Sequence, residues 1–262
     1  MIRHTFDYAS LVRVSRLGLL VASVAMPPAF AVDDATHSGA AAVVASRSVN
    51  VLPDRSKSVR FGRESASQDA RHIAGWIVDA GDNHNLPFVI VDKTEAKVFV
   101  FHANGRLRGA TPALLGSALG DDTAPGIGES RLSSIRPEER TTPAGRFVAA
   151  LDRNLQGKEI LWVDYDAAIS LHPVVTSNVQ ERRAQRLATP TPLDNRISYG
   201  CINVSAEFFR RVVSPAFRGT NGIVYVLPET RAVQSVFASY DVAEHARLQL
   251  GAQISANSTG RK

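Results

Sequence analysis

Apolar positions between residues 66 and 82 recur at three- and four-residue intervals. Ala70, Ile73, Ala74, Ile77 and Val78 fall on one face of a helix. Ser67 precedes the run as an N-cap and Gly81 follows it as a stop. From Pro87 the period shortens. Residues 88–92 and 97–102 are short runs of branched and aromatic residues, and Asn104-Gly105 marks a turn after the second. Further strands are expected at 113–119, 146–151, 159–164, 167–172, 201–204 and 222–227. Many short strands with Gly, Pro and Asn turns predict a mainly β sandwich or barrel with flanking helices. One helix is expected near 206–214 with Ser205 as its N-cap, and another over 231–250, followed by a frayed tail. Residues 32–60, rich in Ala, Ser and Val without sustained period, read as a linker.

The start of the chain follows a different pattern. Arg3, Arg13 and Arg16 precede a ten-residue apolar run, Leu17 to Met26, and Ala29-Phe30-Ala31 supplies small residues for cleavage. This is the pattern of a secretory signal peptide. The run is too short to cross a bilayer core of roughly 30 Å as a helix. The alternative is an uncleaved anchor. The expected organisation is a signal peptide at 1–31, the linker at 32–60, a helical segment at 61–85, a main domain at 86–228, and a C-terminal helix and tail at 229–262. The expected location is periplasmic, with no stable membrane insertion after cleavage.

Cleavage removes three Arg and one Asp, leaving 27 basic and 24 acidic residues, a charge of +3. That mild excess suits an anionic polymer. There is no dense Lys/Arg stripe interleaved with aromatics, so nucleic acid is not an expected partner. Composition, at 44% hydrophobic and 21% charged, is that of a globular protein.

Cys201 is the only cysteine, so no intramolecular disulfide can form. In an oxidising compartment a lone thiol is either buried and inert or kept because it reacts. A reactive thiol needs a base, usually histidine. Among seven histidines, His172 is the informative one. It ends the predicted strand AAISLH on the same face as Ala168 and Ser170, which leaves room beside the imidazole. A strand-end histidine without a catalytic role is the alternative. Gly200, lacking a Cβ, lets a ligand approach, and the N–H groups around it and Cys201 suit a developing oxyanion. A plain glycine bulge is the bland reading. No C-x-x-C, H-E-x-x-H or G-x-S-x-G pattern is present, so neither a metal nor a cofactor is expected.

Ser198-Tyr199-Gly200-Cys201-Ile202-Asn203, preceded by His172, resembles the catalytic signature of the L,D-transpeptidases (the YkuD family). Thr142-Pro143-Ala144-Gly145-Arg146-Phe147 resembles that family's T-P-x-G-x-F segment. The resemblance covers roughly residues 86–228 and departs from the family twice. Tyr199 stands where a second histidine is usual. The 29-residue gap from His172 to Cys201 is about ten longer than the family pattern, through the insert VVTSNVQERRAQRLATPTPLDN. That insert reads as a lid over the site or as a solvated excursion.

The resemblance implies a peptidoglycan L,D-transpeptidase. Cys201 would attack the third-residue carbonyl of a tetrapeptide stem, with His172 as base. Gly200, Cys201 and Tyr199 would hold the oxyanion through their N–H groups. Ser198 would orient the loop and Asn203 would fix it from behind or meet substrate; simple turn hydrogen bonding is the alternative for both. Arg196 would pair with a stem carboxylate, as would Arg182, Arg183 and Arg186 from the insert, unless those three are merely solvated. The acceptor would be the amine of a second stem or of an envelope protein. Two alternatives remain: an L,D-carboxypeptidase that uses water, and a non-catalytic binding protein that keeps the fold.

Overall fold

A computed structural model of the protein describes residues 59–259. The signal peptide and nearly all of the linker expected from the sequence lie outside them. The first helix, α1 (Gln68–Ala80), begins where the Ser67 side chain accepts the Ala70 N–H and ends at Gly81, whose φ is 68°. The serine oxygen satisfies a first-turn donor that has no partner within the helix. Glycine takes the left-handed conformation at no Cβ cost.

The strands are β1 (Phe88–Asp92), β2 (Lys97–Phe101), β3 (Leu107–Pro112), β4 (Leu115–Gly116), β5 (Gly145–Arg153), β6 (Glu159–Asp164), β7 (Ile169–Pro173), β8 (Arg196–Ser198), β9 (Ile202–Val204) and β10 (Gly222–Val226). Eight of them form one sheet in the order β3-β2-β1-β10-β5-β6-β7-β9, while β4 pairs with β8. The chain leaving β3 crosses to the other edge of this sheet. There Leu114 exchanges both backbone hydrogen bonds with Asn203 of β9, each 2.8 Å long. The sheet is thereby curled into a nearly closed barrel, and the protein is mostly β with a few helices.

The central strands are buried on both faces, which is why they read as continuous apolar runs. In β1, Val89 and Val91 face the barrel interior while Phe88 and Ile90 face α1. In β2, Val98 and Val100 oppose Phe99 and Phe101 in the same way, and in β10 Val224 and Val226 oppose Ile223 and Tyr225. The outer cluster is completed by Ile73 and Ile77 of α1 and by Val233 and Phe237 of α5 (Val233–Phe237).

Several boundaries differ from the sequence-based expectation. A strand not expected from the sequence runs over 107–112, and of the strand expected at 113–119 only Leu115–Gly116 is extended, as β4. The Asn104-Gly105 turn, closed by the His102–Arg106 and Gly105–His102 hydrogen bonds, lets pairing resume at once. Residues 113–115 are buried where Leu114 pairs with Asn203 of β9 and Leu115 with Arg196 of β8. The helix expected over 231–250 is two helices, α5 and α6 (Val242–Thr259). Ala238, at φ 50°, ends α5, whose Val233 and Phe237 are held in the core. Leu248, Leu250 and Ile254 of α6 are exposed, and the last residues of the expected tail, 260–262, lie outside the described residues. The strand expected from 167 begins at Ile169, because Ala168 turns at φ 54°. Cys201 lies before β9, not within a strand. The helix expected at 206–214 extends through α3 (Ala206–Phe208), a π-type turn and α4 (Ser214–Phe217).

Candidate active site

The loop carrying Cys201 is braced from two directions. Ser198 Oγ donates to the Cys201 carbonyl at 2.6 Å and accepts the Gly200 N–H at 3.1 Å. Thr142 Oγ1 donates to the Gly200 carbonyl at 2.8 Å and accepts the Gly116 N–H at 2.9 Å. Gly200 has φ 122°, and a Cβ there would stand 2.7 Å from Thr141 O and 2.8 Å from Ile169 Cδ1. Both the dihedral and the lack of room require glycine. Gly200→Ala is expected to destabilise the fold by about 1–3 kcal/mol, the cost of holding a residue in such a conformation, and to displace Cys201. Urea denaturation together with thiol labelling checks both effects.

Parallel pairing of β7 with β9 sets Leu171 opposite Ile202 and His172 opposite Asn203. Leu171 and Ile202 point into the barrel core, so Ser170, His172, Cys201 and Asn203 share the other face. Cys201 is half-buried. Its Sγ lies 3.6 Å from Ser170 Oγ and 3.7 Å from Ala168 O. His172 Nδ1 is 2.8 Å from Pro173 O. A carbonyl only accepts, so Nδ1 carries the hydrogen and Nε2 of the neutral ring is the basic atom. Nε2 in turn stands 3.0 Å from Asn203 Nδ2.

The thiol and imidazole are coupled. Burial pushes the Cys201 thiol up, but the hydrogen bond and charge of His172, followed by hydrogen bonds from the Ser170 N–H and hydroxyl, hold it below its ordinary value. Burial pushes His172 down, yet the hydrogen bond and charge of Cys201, with the Pro173 carbonyl, raise it overall; the Arg183 charge opposes the rise. Both shifts favour a thiolate–imidazolium pair. Iodoacetamide labelling of Cys201 is therefore expected to reach half its maximal rate below the free-thiol value of about 8.5. Thiolate is lost as pH falls through the lowered thiol value. His172→Ala is expected to move the midpoint upward, as a labelling profile against pH would show.

A cleft of about 420 Å³ opens beside this pair, lined by Trp162, Ser170, His172 and Val174 among others. Trp162 stacks on Tyr165 with ring centroids 4.5 Å apart, giving the cleft an aromatic wall. Tyr199, beside Cys201, is half-buried, and the Arg140 guanidinium lies 4.1 Å from its ring centroid. Among the described residues, no group of three or more His, Cys, Asp or Glu is placed to hold a metal ion.

Three sequence-based assignments need correcting. Arg196 does not face a substrate carboxylate: its guanidinium pairs with Glu229 and donates to Lys93 O. Asn203, 1% exposed, reaches no substrate and instead bridges His172 and Arg183. The Gly200 N–H is taken by Ser198 Oγ, which leaves only the Tyr199 and Cys201 N–H groups of the set expected to face an oxyanion. Of the insert arginines, Arg183 binds Asn203 and Glu181, and Arg186 binds Glu181 O and Asp194 O, while Arg182 is exposed.

The sequence reading did not anticipate how a buried charge network supports the loop. Lys93, fully buried, donates to Gly120 O at 2.6 Å, Asp121 Oδ1 at 2.7 Å and Thr142 O at 3.0 Å. Asp121 also accepts the N–H groups of Glu229 and Thr230. The chain thus anchors Thr142, which anchors Gly200. The T-P-x-G-x-F segment signalled Thr142; nothing in the sequence linked it to Lys93.

No protein-family model matches the chain, and no curated protein matches it. Among solved structures it is similar to an L,D-transpeptidase from Xylanimonas cellulosilytica, with 15% identity over 57% of this chain and 67% of that one and a TM-score of 0.33. It is similar to an E. faecium L,D-transpeptidase catalytic domain at 17% identity over 55% and 98%, with a TM-score of 0.30. A third is an L,D-transpeptidase from Stackebrandtia nassauensis, at 13% identity over 63% and 68%, with a TM-score of 0.31.

Proposed function

We propose that the protein is a periplasmic peptidoglycan L,D-transpeptidase that works through a cysteine thioester. The observation that carries this reading is that the β7–β9 pairing sets Cys201 and His172 on one face, with the His172 Nδ1–H fixed on Pro173 O. That fixes Nε2 as the atom that takes the thiol proton. In the first half-reaction Sγ bonds to the third-residue carbonyl carbon of a tetrapeptide stem. The oxyanion is held by the N–H groups of Tyr199 and Cys201. The imidazolium returns its proton to the leaving nitrogen, the C–N bond breaks and D-Ala departs. In the second, the acceptor amine loses a proton to Nε2 and bonds to the carbonyl carbon, and Cys201 leaves as thiol. The acceptor is a second stem or an envelope protein amine.

The test is mass analysis of purified tetrapeptide muropeptides incubated with the protein, together with intact mass of the protein itself. Expected results are release of D-Ala, a tripeptide adduct on Cys201 and crosslinked dimers. Tripeptides without dimers would reassign the acceptor to water and the enzyme to L,D-carboxypeptidase. The absence of both adduct and product would leave a non-catalytic binding protein.

A further inference from the structure

The insert between β7 and β8 contributes one side chain to the site. Arg183 begins the short helix α2 (Arg183–Ala188) and is 12% exposed. Its Nη1 donates to Asn203 Oδ1 at 2.9 Å, while its Nε is paired with Glu181. Guanidinium has no acceptor, so the atom facing it must be the amide oxygen of Asn203. This fixes the amide's orientation: its NH2 group points at His172 Nε2, 3.0 Å away. A donor at that nitrogen suits the neutral imidazole and opposes its protonation. The amide thus competes with the thiol for the lone pair that would take the thiol proton.

We propose that Arg183 is a positioning residue that restrains the nucleophile by locking the Asn203 amide with its donor toward His172. This rests on the assignment of Cys201 and His172 as nucleophile and base. When Arg183 leaves Asn203, the amide is free to rotate and offer Oδ1 to an Nε2–H. Its preference then changes from the neutral ring to the imidazolium, and the proton passes from Sγ to Nε2. Displacement of the insert thus raises thiolate content at the moment the site is engaged. The docked insert holds thiolate content below what the Cys201–His172 pair would reach without it, and so limits oxidation. The charged and titratable groups facing His172 are Cys201 from the loop before β9, Arg183 with its partner Glu181 from the insert, and Lys158 and Glu159 from the cleft wall. Only Arg183 also contacts Asn203 among these.

Iodoacetamide labelling rates from pH 5 to 9 test the proposal on the full protein. Arg183→Met, which keeps the aliphatic stem, is expected to label roughly three- to tenfold faster at pH 6–7, the worth of one hydrogen bond exchanged at the ring nitrogen. Its upper inflection, where imidazolium loses its proton, is expected to move to higher pH. Arg183→Lys still donates to Oδ1 and should follow the wild type. In an Asn203→Ala background Arg183→Met should add little. A superimposable wild-type and Arg183→Met profile overturns the proposal. An acceleration undiminished by Asn203→Ala also overturns it, since the charge then acts through space.

A measurement on the unaltered protein stands beside these variants should they fail to fold. Nitrogen NMR of 15N-histidine protein, taken above the pH at which the His172 imidazolium loses its proton, should show the remaining proton on Nδ1; a proton on Nε2 of the neutral ring overturns the proposal. The muropeptide assay separates the two readings. Product from wild type with no Arg183 effect on labelling removes this inference alone. The expected labelling shift without adduct or product removes the transpeptidase reading alone.

Discussion

Cys201→Ala is expected to abolish release of D-Ala and formation of dimers from tetrapeptide muropeptides, a loss of about 10⁴-fold or more, as when a covalent nucleophile is removed. The size follows from chemistry: without Sγ no thioester forms and the reaction loses its two-step route. Cys201→Ser gives a sharper version of the test. It keeps the shape and the bracing by Ser198 and Thr142, yet an alcohol ionises far less readily than a thiol beside the same imidazole. His172 holds the Cys201 thiol below its ordinary value, but a serine hydroxyl starts far above any thiol. Cys201→Ser should therefore fold like the wild type, as thermal melting would show, and remain inactive by product mass. Wild-type turnover in either variant would mean that the nucleophile lies elsewhere.

Breaking the buried pair is expected to have the largest effect on stability. Lys93 and Asp121 have side chains 0% and 1% exposed. Removing one partner leaves the other with only a longer ion pair, Lys93 with Glu229 at 3.4 Å or Asp121 with Arg231 at 3.6 Å, at a cost approaching that of a fully broken buried pair, about 3–5 kcal/mol. Asp121→Ala should therefore lower the urea midpoint strongly. Lys93→Met combined with Asp121→Leu should recover part of the loss, because neither charge remains to be desolvated. Burial pushes the Asp121 carboxyl up, but hydrogen bonds from Lys93, Thr230 and the Glu229 and Thr230 N–H groups overcome it and hold the carboxyl far below the usual carboxylate range. The folded value lies below the unfolded value of about 3.9. The stabilisation is thus present above that pH and is lost as pH falls through the folded value. Urea midpoints between pH 6 and pH 2 should fall more for the wild type than for Asp121→Asn. Since Lys93 also holds Thr142, the variants that still fold should label Cys201 abnormally.

What was legible in the chain was local. Ser67 and Gly81 bound the first helix because caps act on neighbouring backbone groups. The runs at 88–92 and 97–102 declared strands because β-branched and aromatic composition and turn chemistry are properties of adjacent residues. His172 and Cys201 were candidates from residue type, flanking small residues and motif. Boundaries failed where distant packing decided them. Residues 113–119 looked like one strand, yet only Leu115–Gly116 is, and Leu114 is fixed by its bridge to distant Asn203. Residues 231–250 looked like one helix, yet Phe237 is held in the core and the chain turns at Ala238.

The partners of long polar side chains were not legible at all. Arg196 and Arg183 have the same chemistry and both lie near the site, and nothing in their neighbours distinguishes them. Folding sends Arg196 to Glu229, 33 residues away, and Arg183 to Asn203, 20 residues away. By itself the sequence determined the secondary structure of the central strands, the single thiol and the histidine suited to activate it, because these depend on residue type and short-range pattern. Only the tertiary structure decided which amide faces Nε2, which arginine orients that amide, and that a buried lysine braces the loop from behind. Those are choices among many chemically equivalent partners, settled by which surfaces the closed barrel brings together.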